Sequence, residues 1–375
     1  MLSANLTGRA TRIAFFLLGC IALHTSVVLA QNRAAAVGQA GWEAIRSGKV
    51  QEASKLFEEA IGLQPQDATS FLGAGLAAHL QGQEGKARKA LLESLRLDPT
   101  LTAASLLLGE IAYRAGDLET AIRTYEAALA ITSEHAQLQP RLDTWRKELS
   151  LHRSFQQNLN AHFTILFEGP AEQRLAGAAL DFLEAAYWRI GTALLAYPSE
   201  IITVILYTEE QFRDITRSPT WAGALYDGKI RVPMRGALTD RQQLEKVLAH
   251  EFTHALVRNL APHGVPTWLD EGLAVAFEKG DPGWAEQVIR RAGTVIPLAQ
   301  LHDGFLKLPA EQVPLAYAES ALAVQMLLER SGPLAVATFL KELAAGQEFA
   351  ETFERRFYLS YTDFQAAWQQ RLRGG

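Results

Sequence analysis

The chain has 375 residues, of which 48% are hydrophobic and 21% charged, and its formal net charge is -5. At roughly 100–200 residues per domain this length suggests two or three domains. The composition supports a substantial core and excludes a chain disordered by composition, and with no basic excess there is no sign of a nucleic-acid footprint.

In chain order, Arg9 and Arg12 come first, ahead of an almost wholly apolar run at residues 13–30 (IAFFLLGCIALHTSVVLA). Val28 and Ala30 stand at the -3 and -1 positions of a cleavage after Ala30. This is the pattern of a secretory signal peptide over residues 1–30, and it predicts an exported protein, periplasmic or secreted. Two alternatives share the segment. It stays uncleaved as a membrane anchor, since about 18 apolar residues just suffice to span. Or Leu17-Leu18-Gly19-Cys20 serves as a lipoprotein box, although the residues after Cys20 stay apolar where a tether is usually polar. Cys20 is the only cysteine, so cleavage after Ala30 leaves no disulfide, cysteine nucleophile or cysteine ligand. Cleavage also removes two Arg and no acid, taking the charge from -5 to -7.

A period of 34 residues runs through residues 34–135. Gly41, Gly75 and Gly109 keep this step, as do Gly48, Gly82 and Gly116, and Ala53, Ala87 and Ala121. So do the large residues Phe57, Leu91 and Tyr125; Pro65 and Pro99 match, and Ser133 breaks the Pro pattern. The reading is one helix pair per repeat: small residues let helices approach, the large residue fills between them, and Pro ends the second helix. The spacing resembles the tetratricopeptide repeat, three copies of it. The usual Trp and Tyr of its first helix are absent, with Val37, Phe71 and Ser105 in one place and Ala44, Ala78 and Ala112 in the other. The resemblance implies an all-α solenoid that binds a protein or peptide partner, or one that only caps the neighbouring domain.

Residues 136–158 read as a charged, amphipathic helical connector. An α+β domain follows, at residues 160–375. His162–Glu168 alternates as a strand, 171–196 has helical spacing, and 201–208 (IITVILYT) is a buried strand. Residues 229–233 (KIRVP) read as a short strand whose terminal Pro suits an edge, and 221–233 as the segment along which a substrate peptide extends the sheet.

The chemistry concentrates in LEKVLAHEFTHALVRNL, a helical segment without Gly or Pro that contains His250-Glu251-Phe252-Thr253-His254. Histidines at i and i+4 share one helix face and can grip one zinc ion, with Glu251 placed to reach a metal-bound water without being a ligand. A catalytic zinc commonly has three protein ligands and an open position. Residues 265–278 (VPTWLDEGLAVAFE) form a second helical pattern, and Glu271 follows His254 after sixteen intervening residues. That gap lets the first helix end near Pro262-His263-Gly264 and a second return beside it.

These motifs resemble the gluzincins, in which His-Glu-x-x-His is followed by a Glu before Gly and Ala on a second helix. Within them the chain is similar to the peptidase MA-like domains found beside tetratricopeptide repeats in bacterial exported proteins. The resemblance implies a thermolysin-like zincin fold, Zn2+ on His250, His254 and Glu271, Glu251 as general base, and peptide-bond hydrolysis. The alternative for Glu271 is a helix-start carboxylate favoured by the dipole, a place Asp270 also fills. Asp270 and Glu278 are candidate partners of the histidines. Tyr317, near the start of the helical segment PLAYAESALAVQMLLER, is the candidate oxyanion donor, with Tyr226, His263 and His302 as alternatives and an ordinary half-buried Tyr as the plain reading. Residues 353–372 read as an amphipathic packing helix.

The expectation is an exported zinc peptidase whose repeats recruit a protein partner or substrate, with no nucleic acid and a membrane only through an anchored or lipidated N-terminus. The rival is a repeat scaffold with a vestigial or structural zinc site. An aminopeptidase is a second rival, but it would need an anionic site for the free amine, and the sequence points to none.

Overall fold

Each repeat places a bulky side chain opposite a glycine, and this close approach builds the N-terminal helices. The structure is a computed structural model and describes residues 31–131, 138–169, 173–217, 224–234, 240–278, 283–305 and 308–374. The signal-peptide segment, Cys20 and Ser133 lie outside the described residues. No described helix is long and apolar enough to cross a membrane. The chain divides into two compact units, Met1–Leu108 and Gly109–Gly375.

The first unit holds α1 (31–46), α2 (Val50–Leu63), α3 (Ala68–Leu80), α4 (Glu84–Leu97) and the start of α5 (Thr102–Arg114). Phe57 of α2 is fully buried against Gly41 and Gly73, where an added Cβ would meet its ring at 2.9 and 2.3 Å. Leu91 of α4 fills the notch at Gly75 in the same way, at 2.8 Å. Gly48 and Gly82 adopt φ of +71° and +69° in the turns between paired helices, a conformation that an L side chain resists. Asp67 caps α3 by accepting from the backbone N–H groups of Thr69 and Ser70. Pro65 and Pro99 follow the ends of α2 and α4 by two residues, where helix propagation has already stopped.

The second unit continues with α6 (Leu118–Ile131), α7 (Gln139–His152), β1 (Gln156–Leu159), β2 (Phe163–Phe167), α8 (Gln173–Leu194) and β3 (Ile202–Tyr207). Then come α9 (Glu209–Thr216), β4 (Leu225–Tyr226), β5 (Ile230–Pro233), α10 (Arg241–Leu260), α11 (Thr267–Phe277) and α12 (Gly283–Ala292). The chain closes with α13 (Val313–Ala344), α14 (Phe349–Phe357) and α15 (Tyr361–Gly374). The third repeat keeps the notch: Tyr125 packs at Gly109, where a Cβ would lie 2.6 Å from the ring, and Gly116 has φ +82°.

The five-stranded sheet has the order β1-β2-β3-β5-β4. β2, β3 and β5 run parallel, while β1 and β4 are antiparallel to their neighbours, so the sheet is mixed. One core joins β2, β3 and β5 to α8, α10, α11 and α13, through residues such as Phe163, Val204, Ile230, Phe252, Trp268 and Val324. The architecture is α+β behind an all-helical region.

Three expectations need correction. The helical connector ends at His152, and Gln156–Leu159 pairs with β2 as strand β1. Gln-Gln-Asn-Leu is mostly exposed and carries no strand pattern of its own, so its conformation comes from the β2 ladder. Residues 229–233 are not an edge: β5 lies between β3 and β4, with Ile230, Arg231 and Val232 buried, and Pro233 sits at the strand's end. The edge is β4. Finally, residues 353–372 are not one helix, because Tyr358 takes φ +53° and separates α14 from α15. Phe353, Phe357, Phe364 and Trp368 nonetheless bury into the core.

A buried ionic cluster lies between the end of α5, α7 and strands β3 and β5. Arg231 donates to Glu148 at 2.9 Å, to the Tyr207 and Tyr113 hydroxyls at 2.8 Å each, and to Asp227 at 3.0 Å. Lys229 donates to the Tyr113 carbonyl at 2.7 Å. Burial pulls the Lys229 pKa down to about 8, with Glu148 opposing that shift.

Candidate metal centre

Asp240 starts α10 by accepting from the Gln243 N–H at 2.9 Å. One side of the helix, with Leu244, Leu248, Phe252, Ala255 and Leu256, enters the core. The remaining stripe carries His250 and His254, whose ring centroids are 4.9 Å apart. Thr253 is fully buried, and its hydroxyl donates back to the Ala249 carbonyl at 2.8 Å, so it leaves no polar group unsatisfied beside the histidines.

α11 begins after Pro266, and its first N–H, from Thr267, donates to the His302 carbonyl at 3.0 Å. Trp268 and Leu269 anchor it in the core. Gly272 lets α11 press against α13: an added Cβ would lie 2.4 Å from the Ser320 carbonyl and from Val324. This contact faces Glu271 toward α10. One ligand atom each from His250, His254 and Glu271 lies within 4.8 Å of the others.

The distances distinguish a hydrogen-bonded cluster from a metal cradle. Glu271 Oε2 lies 3.6 Å from His250 Nε2 and 3.5 Å from His254 Nε2. Both are too long for hydrogen bonds, and this buried oxygen has no hydrogen-bond partner among the described residues. Four donors about 2.0–2.1 Å from zinc, at tetrahedral angles, stand roughly 3.3–3.4 Å apart. The donor set and its spacing therefore fit a three-ligand zinc site, and the orphaned oxygen is what such an ion would satisfy.

Support behind the three residues is in place. His254 Nδ1 is 2.9 Å from Asp270, and His250 Nδ1 is 3.3 Å from Glu278, which pairs with Lys246 at 3.1 Å. With Nδ1 engaged by a carboxylate, each ring turns Nε2 toward Glu271. Without a metal, burial disfavours charge on His250, yet Glu271 and Glu278 hold its pKa up at about 9. His254 is likewise raised well above the usual range against burial, by Asp270 and Glu271. Burial would push Glu271 up, but the two histidines hold it well below the carboxylate range. A metal entering here displaces protons from both imidazoles.

Glu251 is 6% exposed, and burial raises its pKa, with the histidines pulling the other way. Tyr317 stands near the start of α13, with its ring edge-on to Phe305 at 5.1 Å. Burial, followed by the charges of Glu271 and Glu251, raises its pKa, so the phenol stays protonated at neutral pH. The structure thus brings Tyr317 to the same site. Tyr226 instead lies on β4 and lines a cavity whose wall includes Arg258 of α10. His263 lines a small cavity with Asp270, and the His302 ring packs against Phe349.

Residues 190–374 match the model of the Peptidase MA superfamily. Residues 39–102 and 102–136 match the tetratricopeptide repeat. The chain carries a Peptidase MA superfamily domain behind tetratricopeptide repeats. The peptidase MA match begins inside α8, so β1 and β2 lie ahead of it while every residue of the His250–His254–Glu271 cluster lies within it. A search of curated proteins gave no match. Among solved structures the chain is similar to one described as "First TPR of Spaghetti (RPAP3) bound to HSP90 peptide SRMEEVD", at 18% identity and TM-score 0.31, covering 32% of this chain and 98% of that one.

Proposed function

We propose that the peptidase MA domain is an exported zinc-dependent peptidase of the gluzincin type, with His250, His254 and Glu271 holding the ion and Glu251 as general base. The observation that carries this reading is the buried Glu271 Oε2, without a hydrogen-bond partner among the described residues and nearly equidistant from two imidazole nitrogens. Two nitrogens, one carboxylate and an open position favour zinc over harder cations. When bound, zinc supplies a Lewis acid and lowers the pKa of a water to about 7.

The protein's own residues then divide the work. Asp270 and Glu278 hold the Nδ1 protons of His254 and His250, keeping the Nε2 lone pairs turned inward. Glu251 takes the proton from the attacking water and passes it to the leaving amine, and its burial strengthens it as a base. Tyr317 donates its hydroxyl proton as a hydrogen bond to the oxyanion of the tetrahedral intermediate, a role that requires it to remain protonated. The tetratricopeptide repeats recruit a protein partner or the substrate.

Elemental analysis and peptide turnover test this together. Wild type and Glu251→Gln should each retain about one zinc and His250→Ala none, while Glu251→Gln loses roughly 10²–10⁴-fold in turnover. A wild-type protein that stays zinc-free after reconstitution means the site is vestigial, and the repeat-scaffold reading replaces this one.

A further inference from the structure

Arginines collect beside the metal centre. A cavity of about 670 Å³ is lined by Arg114, Arg141, Arg217 and Arg258, with Tyr226 and Asp227 among its other walls. Asp227, the only acid among the described lining residues, is engaged by Arg231 at 3.0 Å. Arg141 is paired with Glu110 at 2.6 Å and lies over Trp145. The other three are different. Among the described residues, Arg217 reaches only the Thr144 hydroxyl at 3.4 Å, and Arg258 only the Pro262 carbonyl at 3.2 Å. Neither they nor Arg114 make an ion pair among the described residues.

The cavity adjoins the metal centre. Arg258 follows His254 by one helical turn on α10, so the two share a face. Arg258 also lines a second cavity, of about 280 Å³, together with Asp270, the residue that holds His254. Leu225 and Tyr226 of the edge strand β4 form another part of the larger wall. Burial pushes the Tyr226 pKa up to about 12, and Arg258, Asp227, Arg114 and Asp270 all lie near enough to act on its hydroxyl. A peptide lying along β4 toward the histidines would therefore pass these arginines.

Resting on the peptidase reading above, we infer that this cavity is a substrate subsite for a carboxylate, so that the domain selects peptides carrying an acidic group close to the scissile bond. Guanidinium groups without carboxylate partners recognise carboxylates by bidentate hydrogen bonds, and a concave wall raises the local field above that of scattered surface arginines. The volume accommodates a Glu or Asp side chain with its flanking backbone, or a peptide's terminal residue.

The test separates this inference from the peptidase reading by measuring binding without turnover. Fluorescence anisotropy of zinc-loaded, full-length Glu251→Gln protein would compare labelled peptides that differ only by Glu, Gln or Lys at each position around a candidate cleavage site, each with free or amidated C-terminus. At least tenfold tighter binding of one Glu peptide over its Gln counterpart is expected, weakening as salt rises. Loss of the preference on amidation would assign the carboxylate to the peptide terminus, and its survival would assign it to the side chain. Adding Arg217→Gln and Arg258→Gln, both exposed positions, should bring the ratio close to one. Arg114→Gln provides a second variant if either of those perturbs folding. Equal binding of Glu and Gln peptides, or a preference untouched by the arginine variants, overturns the inference even where wild type hydrolyses peptides. Tight, arginine-dependent Glu selectivity without hydrolysis by wild type leaves the subsite standing and sinks the peptidase reading.

Discussion

Gly272→Ala tests the link between helix packing and the metal site, because it adds a single methyl on the far side of Glu271. The Cβ would stand 2.4 Å from the Ser320 carbonyl oxygen, 2.4 Å from a Val324 methyl and 2.9 Å from the Ser320 carbonyl carbon, against 3.4 Å for ordinary contact. Two of these atoms are backbone within α13, so rotamer changes cannot relieve them, and α11 must move away by about 1 Å. Overpacking of this kind costs about 1–3 kcal/mol. Ligand distances are held to about ±0.2 Å, so a shift several times larger at Glu271 should weaken zinc binding at least as much as the roughly 10–100-fold seen on loss of an outer-shell partner. Zinc affinity, by competition with a chelating dye, and urea unfolding should be measured on the same preparation. A variant that unfolds at the wild-type midpoint and binds zinc as tightly would refute the claim that the α11–α13 contact positions Glu271.

Asp270→Asn keeps the size of the side chain but removes the charge facing His254 at 2.9 Å, and should lower zinc affinity roughly 10–100-fold with the fold intact by circular dichroism. Arg231→Met removes the 2.9 Å partner of the fully buried Glu148, leaving it Lys229 at 3.6 Å and the Tyr113 hydroxyl at 3.1 Å, and should cost about 3 kcal/mol in urea unfolding, the low end for a broken buried pair. Glu319 is fully buried on α13, accepts the Ile296 N–H at 2.9 Å, and has its pKa pushed up by burial to about 8. A carboxyl raised in the native state gives its full stability below its unfolded pKa, near 4.5, and loses it as pH rises to about 8, by up to about 1.4 kcal/mol per pH unit. Glu319→Gln should therefore flatten the fall in stability between pH 5 and 8 and gain most over wild type at the alkaline end; equal slopes in the two proteins would count against a neutral buried Glu319.

Several parts of this protein are local enough to be read from residue order. A 3.6-residue helix puts His250 and His254 on one face wherever that helix sits, so their partnership needed only spacing. The 34-residue step of Gly41, Gly75 and Gly109 with Phe57, Leu91 and Tyr125 likewise reads as helix pairing, because each notch receives its bulky residue from the next helix in the chain. The Glu271 position came from resemblance to a family motif, and its approach to the histidines depends on Gly272 meeting α13, about fifty residues downstream. β1 was hidden because Gln156–Leu159 is a strand only through pairing with β2. Pro233 suggested an edge, but β4, two residues long and without a periodic signal, covers that side. The burial of Arg231 was also illegible: charged residues read as surface, and its partners Tyr113 and Glu148 lie 118 and 83 positions away. The arginine-lined cavity beside the metal centre has the same origin, since Arg114, Arg217 and Arg258 become neighbours only once α5, α9 and α10 are assembled. Local spacing determined the helices and two of the three candidate ligands. Long-range packing, which places in contact groups that no short window contains, decided the third ligand's approach, the sheet edge and the charge environment of the site.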